Sequence, residues 1–134
     1  MILLDTGYLL ALVDPLDELH ARALAWTGVL REPMLVSEIV LWECGNHLWA
    51  PVERPKFHAL IQRLRANAQC RVIDASPALF AAAIEFHRRH ADKSWSLTDC
   101  LSFHLMREMG MTRALAYDHH FEQAGFEALL RREP

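Results

Sequence analysis

Short apolar runs of three to five residues alternate along this chain with longer stretches in which apolar residues recur every three or four positions, the periodicities of strand and helix. Met1 to Leu4 is apolar and stops at Asp5-Thr6-Gly7, which predicts a buried strand closed by a carboxylate; a second apolar stretch, Tyr8 to Val13, follows at once. Asp14-Pro15 has the form of a helix start, with His20, Ala23, Leu24 and Leu30 marking a helix to about Arg31 and Pro33 closing it. Met34 to Val36 predicts a strand, and Ser37 an N-cap for a helix through Ile39, Val40, Leu41, Trp42, Glu43, Cys44, Leu48 and Trp49, ended by Pro51. Phe57, Leu60, Ile61 and Leu64 give an amphipathic helix inside the stretch from Arg54 to Arg71. Arg71 to Asp74 reads as a strand, and Ser76-Pro77 opens a helix from Ala78 to about His90. Asp92 to Trp95 is a connector before Ser96-Leu97-Thr98-Asp99, which has capping-box form and starts a helix to Met109 that stops at Gly110. Ala114 to Tyr117 is a strand ending at Asp118, followed by a turn or short helix through Phe121 and a last apolar piece, Phe126 to Leu130.

Strands alternating with helices from end to end predict an α/β fold: one domain over residues 1–134, with a mainly parallel central sheet of four to five strands flanked by helices. Such short apolar strands suit a sheet covered on both faces. Ligands bind such sheets outside the carboxyl ends of the strands, where two of the predicted strands carry Asp5 and Asp118.

Composition narrows the class without naming a chemistry. With 52% hydrophobic and 23% charged residues the chain is an ordinary folded protein, not a disordered, collagenous or disulfide-built one. Cys44, Cys70 and Cys100 are an odd number with no CxxC spacing, which favours buried thiols over disulfides or zinc. No apolar run reaches the length of a membrane span, and the first residues lack a signal peptide's basic region, so the expected location is the cytoplasm, away from membranes. The net charge of −3 lacks the basic excess of a typical nucleic-acid-binding domain.

Four acids nevertheless stand among apolar neighbours: Asp5 after Ile2-Leu3-Leu4, Glu43 between Trp42 and Cys44, Asp99 before Cys100-Leu101, and Asp118 after Leu115-Ala116-Tyr117. An ionised carboxylate in such a setting needs a partner. If all four meet at one edge of the sheet, their repulsion calls for cations, and an all-oxygen donor set suits Mg²⁺ or Mn²⁺. One or two such ions polarise a phosphate and lower the pKa of a bound water, which points to phosphodiester hydrolysis. Each acid also has an ordinary reading. Asp99 closes the capping box to Ser96 and Asp118 caps the turn after it, whereas Glu43, in mid-helix beside Ile39, Val40 and Trp42, and Asp5, followed by Thr-Gly, have no evident structural duty. Without these four acids the chain has 13 acidic against 14 basic residues, so its negative charge is localised at the proposed site.

The stretch Ile2 to Leu12, the Glu43 helix, Ser96 to Phe103 and Tyr117 to Phe126 resemble, in order and spacing, the motifs of the PIN domain, and more closely the VapC-type toxin ribonucleases of toxin-antitoxin modules. The resemblance runs from Met1 to about Leu129 and includes Asp17, His20 and Ala23 in the first long helix. It implies an acidic Mg²⁺ or Mn²⁺ site and endonucleolytic cleavage of RNA, with a cognate antitoxin protein as partner and a homodimer as the assembly. By that resemblance Asp5 and Asp99 are the main metal ligands, Glu43 binds metal or orients the water, and Asp118 supports a second ion. Thr6 matches the small hydroxyl residue beside the first acid, able to fix the Asp5 carboxylate. Ala116 departs from the family's frequent Thr two residues before the last aspartate, which bears on how Asp118 is positioned.

That departure supports the alternative, a PIN-like module that binds RNA or protein without cutting; a small phosphatase using the same acids is a third reading. His87 and His90, beside Arg88 and Arg89, read as a solvated helix face rather than a metal site, and His119-His120 as part of a packed turn, although one of them could reach a phosphate. Five basic and no acidic residues between Arg54 and Arg71 suit either an RNA backbone or plain solvation. Trp42 and Trp49 read as core or dimer interface, with base stacking open to them and to Trp95.

Overall fold

Five short strands, β1 (Ile2–Leu4), β2 (Met34–Ser37), β3 (Cys70–Ile73), β4 (Arg113–Leu115) and β5 (Glu127–Ala128), form one sheet in a computed structural model that describes residues 1–134. Every pairing is parallel and the spatial order is β3-β2-β1-β4-β5. β1 is central: the chain builds β2 and β3 to one side of it, then crosses back to place β4 and β5 on the other. The crevice between the carboxyl ends of β1 and β4 is therefore the topological switch point where such sheets bind ligands.

Side chains alternate across the sheet and build two cores. Ile2, Leu4, Val36 and Leu115 face α1 (Thr6–Val13), α2 (His20–Val29), α3 (Glu38–His47) and α4 (Arg54–Ala66). Leu3, Leu35 and Ala114 face α5 (Pro77–Arg89), α6 (Leu97–Glu108) and the short α7 (His120–Gln123). A single 3₁₀ turn, Leu129–Arg131, follows β5. No helix is long and apolar enough to cross a membrane.

The predicted helix starts at Ser37, Ser76 and Ser96 are present, each serine hydroxyl accepting from the backbone N–H three residues on. The α6 helix ends in a Schellman motif: Gly110, at φ +66°, donates to Arg107 O while Met111 N donates to Met106 O. Asp14-Pro15 does not start a helix. Asp14 and Asp17 instead accept from Leu16 N and Leu19 N in consecutive turns, and α2 begins only at His20. The strand predicted to end at Asp118 stops at Leu115, its last residue paired with β1, and residues 116–118 form the loop before α7, where Ala116 O accepts from Leu130 N.

Trp95 is buried with Phe86 and Phe103, its Nε1 donating to Gln123 Oε1, and has no face free for a base. Trp42 and Trp49 are 75% and 68% exposed and belong to neither core. His90 stacks on Phe86 at 4.3 Å with its Nδ1 on Phe86 O, so it packs against the helix end rather than facing solvent alone.

Candidate active site

Parallel pairing on both sides of β1 fixes where Asp5 emerges. Its backbone N–H still donates to Leu115 O of β4, after which the chain turns directly into α1. The Asp5 carboxyl therefore sits between the ends of β1 and β4, and burial raises its pKa to about 7. The Thr6 backbone amide opposes that rise, while Asp99, Glu43 and Asp118 push it further up. All three of the other predicted acids thus lie close enough to act on Asp5 through space.

Each acid comes from a different element. Glu43 lies on α3, where Thr6 Oγ1 donates to its Oε1 at 2.6 Å; Thr6 thus orients Glu43 rather than the adjacent Asp5 that its position in the sequence predicts. Asp99 is the third residue of α6. Its Oδ2 accepts from Ser96 N at 3.1 Å in the capping box and from His120 Nδ1 at 3.1 Å, so its structural and site readings hold together. Asp118 precedes α7, and its Oδ1 accepts from His120 N at 2.9 Å and lies 3.3 Å from His120 Nδ1. Ala116 is buried and only its carbonyl is engaged, by Leu130 N. Asp118 is thus held by the turn that follows it, without help from a hydroxyl at position 116.

His120 is the participant that sequence reasoning underrated. Its side chain is 17% exposed and its Nδ1 lies 3.1 Å from Asp99 Oδ2 and 3.3 Å from Asp118 Oδ1, a single ring nitrogen bridging two carboxyl groups. The signal available was its place two residues after Asp118 and within the first turn of a helix. His119 Nδ1 approaches Asp118 Oδ1 at 3.4 Å from a more exposed position.

The neighbouring charges that act most on Asp5 are all carboxylates, an oxygen donor set that fits a hard divalent cation. Asp118, His119 and His120 also bring one potential ligand atom each within 4.8 Å of one another. Thiol chemistry does not compete. Cys44 is pushed up to about 12 by burial and by the charges of Asp5 and Glu43, and burial raises Cys70 and Cys100 as well.

Beside the acids a cleft of about 520 Å³ is lined by Asp5, Gly7 and Leu10 on one side and by Tyr117, Asp118, His119 and His120 on the other, with Asp17, Leu19 and Arg131 completing it.

The PIN domain family matches residues 2–127. A 23S rRNA-specific endonuclease, VapC20 of Mycobacterium tuberculosis, is 30% identical over 129 residues, which span 94% of this chain and 95% of that protein. The crystal structure of the same organism's VapC20, described as a sarcin-ricin loop cleaving toxin, matches with a TM-score of 0.86 at 27% identity, covering 96% of this chain and 98% of that one. FitAcB from Neisseria gonorrhoeae shares the fold, with a TM-score of 0.65 at 23% identity over 95% of each chain.

Proposed function

The chain belongs to the PIN-domain family, a nuclease fold whose members use divalent metal ions, and from that premise we propose that it is a toxin endoribonuclease whose catalytic centre is Asp5, Glu43, Asp99 and Asp118 with Mg²⁺ or Mn²⁺. The observation that carries this reading is that Glu43 on α3, Asp99 on α6 and Asp118 in the β4–α7 loop all act electrostatically on the buried Asp5, which follows β1 at the switch point of the sheet. Asp5 and Asp99 are the proposed principal ligands, Glu43 holds metal or orients water, and Asp118 serves a second ion. The substrate class we propose is large-subunit ribosomal RNA, on the strength of what the VapC20 relative cuts. A cognate antitoxin, a homodimer and a cytoplasmic location complete the proposal; exposed Trp42 and Trp49 supply apolar surface for such partners.

When bound, the ion supplies Lewis acidity to the phosphate and a water of lowered pKa. The protein's own part is to hold its acids aimed at the crevice. Thr6 fixes one oxygen of Glu43 and leaves the other free. His120 holds one oxygen each of Asp99 and Asp118, as partners of metal ligands commonly do. Water attack in line would leave a 5′-phosphate and a 3′-hydroxyl.

The test is cleavage of 23S rRNA by purified protein with Mg²⁺ or Mn²⁺. EDTA, Asp5→Asn and Asp99→Asn should each reduce the rate at least about 100-fold, as loss of a metal function implies. Undiminished cleavage by both variants, or a 2′,3′-cyclic phosphate product, would exclude the assigned centre. Calorimetric titration with Mn²⁺ separates this reading from a non-cutting module, which need not bind metal.

A further inference from the structure

Arg131 stands in an unexpected place for a cation. It is the only arginine or lysine lining the cleft that contains Asp5 and Asp118. Three contacts hold it there. Its Nη1 donates to Tyr117 O at 2.9 Å, its Nε lies 3.3 Å from Glu122 Oε1, and its guanidinium sits 5.1 Å over the ring of Tyr117, a side chain 46% exposed at the cleft wall. Nη2 has no hydrogen-bond partner within the protein. The 3₁₀ turn that carries Arg131 is anchored in turn, since Leu130 N donates to Ala116 O. The side chain is therefore held in place beside the acids with part of its donor fork still unused.

We propose that Arg131 binds a phosphate of the RNA strand next to the one that is cut; this rests on the ribonuclease reading of the same site. The chemistry follows from the charges in the cleft. Four carboxylates and one or two divalent ions can serve the scissile phosphate, but Asp17 adds a further acid to the same cleft, so an adjoining phosphate entering it needs a cation of the protein's own. A guanidinium suits this task because its planar fork matches phosphate oxygens and stays charged at every working pH. Stacking on the Tyr117 ring and the contacts to Tyr117 O and Glu122 hold the guanidinium at the cleft, and it makes no ion pair with Asp118. Its contact is to the backbone, which sets the register of the strand and carries no base preference.

The experiment measures binding of a fluorescent stem-loop oligoribonucleotide by anisotropy from 50 to 200 mM KCl, in Ca²⁺, with cleavage followed in the same samples. Arg131→Gln should bind about tenfold more weakly, the loss of one charge-assisted contact. The slope of log affinity against log salt should fall in magnitude by about 1, the mark of one lost phosphate contact. Arg131→Lys should keep the wild-type slope, and both variants should keep wild-type Mn²⁺ affinity and melting temperature. Equal affinity and slope for wild type and Arg131→Gln would overturn the assignment while leaving the ribonuclease reading standing. A salt slope reduced in Arg131→Lys as much as in Arg131→Gln, or a weakening matched by a loss of Mn²⁺ affinity, would make Arg131 a structural tie and overturn it too. Failure of the wild type to bind RNA at all would overturn both.

Discussion

Asp5 keeps its proton up to about pH 7 because its carboxyl is buried and faces three other acids, whereas in the unfolded chain it loses that proton near its ordinary value of 3.8. Between those values the folded state binds more protons than the unfolded one, so this group makes the metal-free protein less stable as pH rises from about 4 to about 7. Asp5→Asn, neutral at every pH, removes that dependence. Melting temperatures in EDTA should therefore show the variant gaining on the wild type across this window, and a gap that stays constant would contradict the buried, acid-ringed setting of Asp5. At this scale the sequence was informative about which acids are unusual: Asp5 and Glu43 stood out because nothing local employed them. It said little about His120, whose role depends on Asp99, 21 residues away, reaching the same ring nitrogen. Thr6 was legible as a hydroxyl beside the site, but only the packing of α1 against α3 decides that it serves Glu43.

At the scale of elements, α6 shows how local rules and packing cooperate. Its capping box sets the direction of Asp99, and its buried face carries Phe103, fully enclosed and in contact with Trp95, Phe121 and Phe126. Phe121 lies on α7 directly after His120, so the aromatic cluster joins the helix bearing Asp99 to the turn bearing Asp118. Phe103→Ala should lower the unfolding free energy by about 3–5 kcal/mol, as for other buried aromatic truncations, measured by urea titration. A cost below about 1 kcal/mol would mean that this cluster is not a single packed unit. Helix starts with a serine cap were legible because the cap bonds only to neighbours within three residues. The start misassigned to Asp14-Pro15 fails for the same local reason: Asp14 and Asp17 satisfy nearby N–H groups just as well in turns, and His20, whose Nδ1 meets Ala11 O, belongs to the helix that follows.

For the whole molecule, the balance of charge matters more than its total. Outside the four acids of the proposed centre the protein has 13 acidic and 14 basic residues, so on that reading its excess negative charge lies at one crevice. Divalent cations should reverse it: RNA affinity measured by anisotropy should rise on moving from EDTA to Ca²⁺ at constant ionic strength, with a parallel rise in melting temperature. Equal affinity in both conditions would show that the acids do not control RNA approach. The alternation of short apolar runs with amphipathic stretches determined an α/β sheet covered on both faces, because strand and helix periodicities are properties of neighbouring residues. The order and spacing of the acidic motifs likewise determined the family. Tertiary structure alone decided the strand order β3-β2-β1-β4-β5, and with it the meeting of Asp5 and Asp118 at the switch point. It alone decided the bridge made by His120 and the position of Arg131 over Tyr117. The physical reason is the same in each case: these contacts join residues far apart in the chain, and their geometry exists only once the sheet has fixed which loops share an edge.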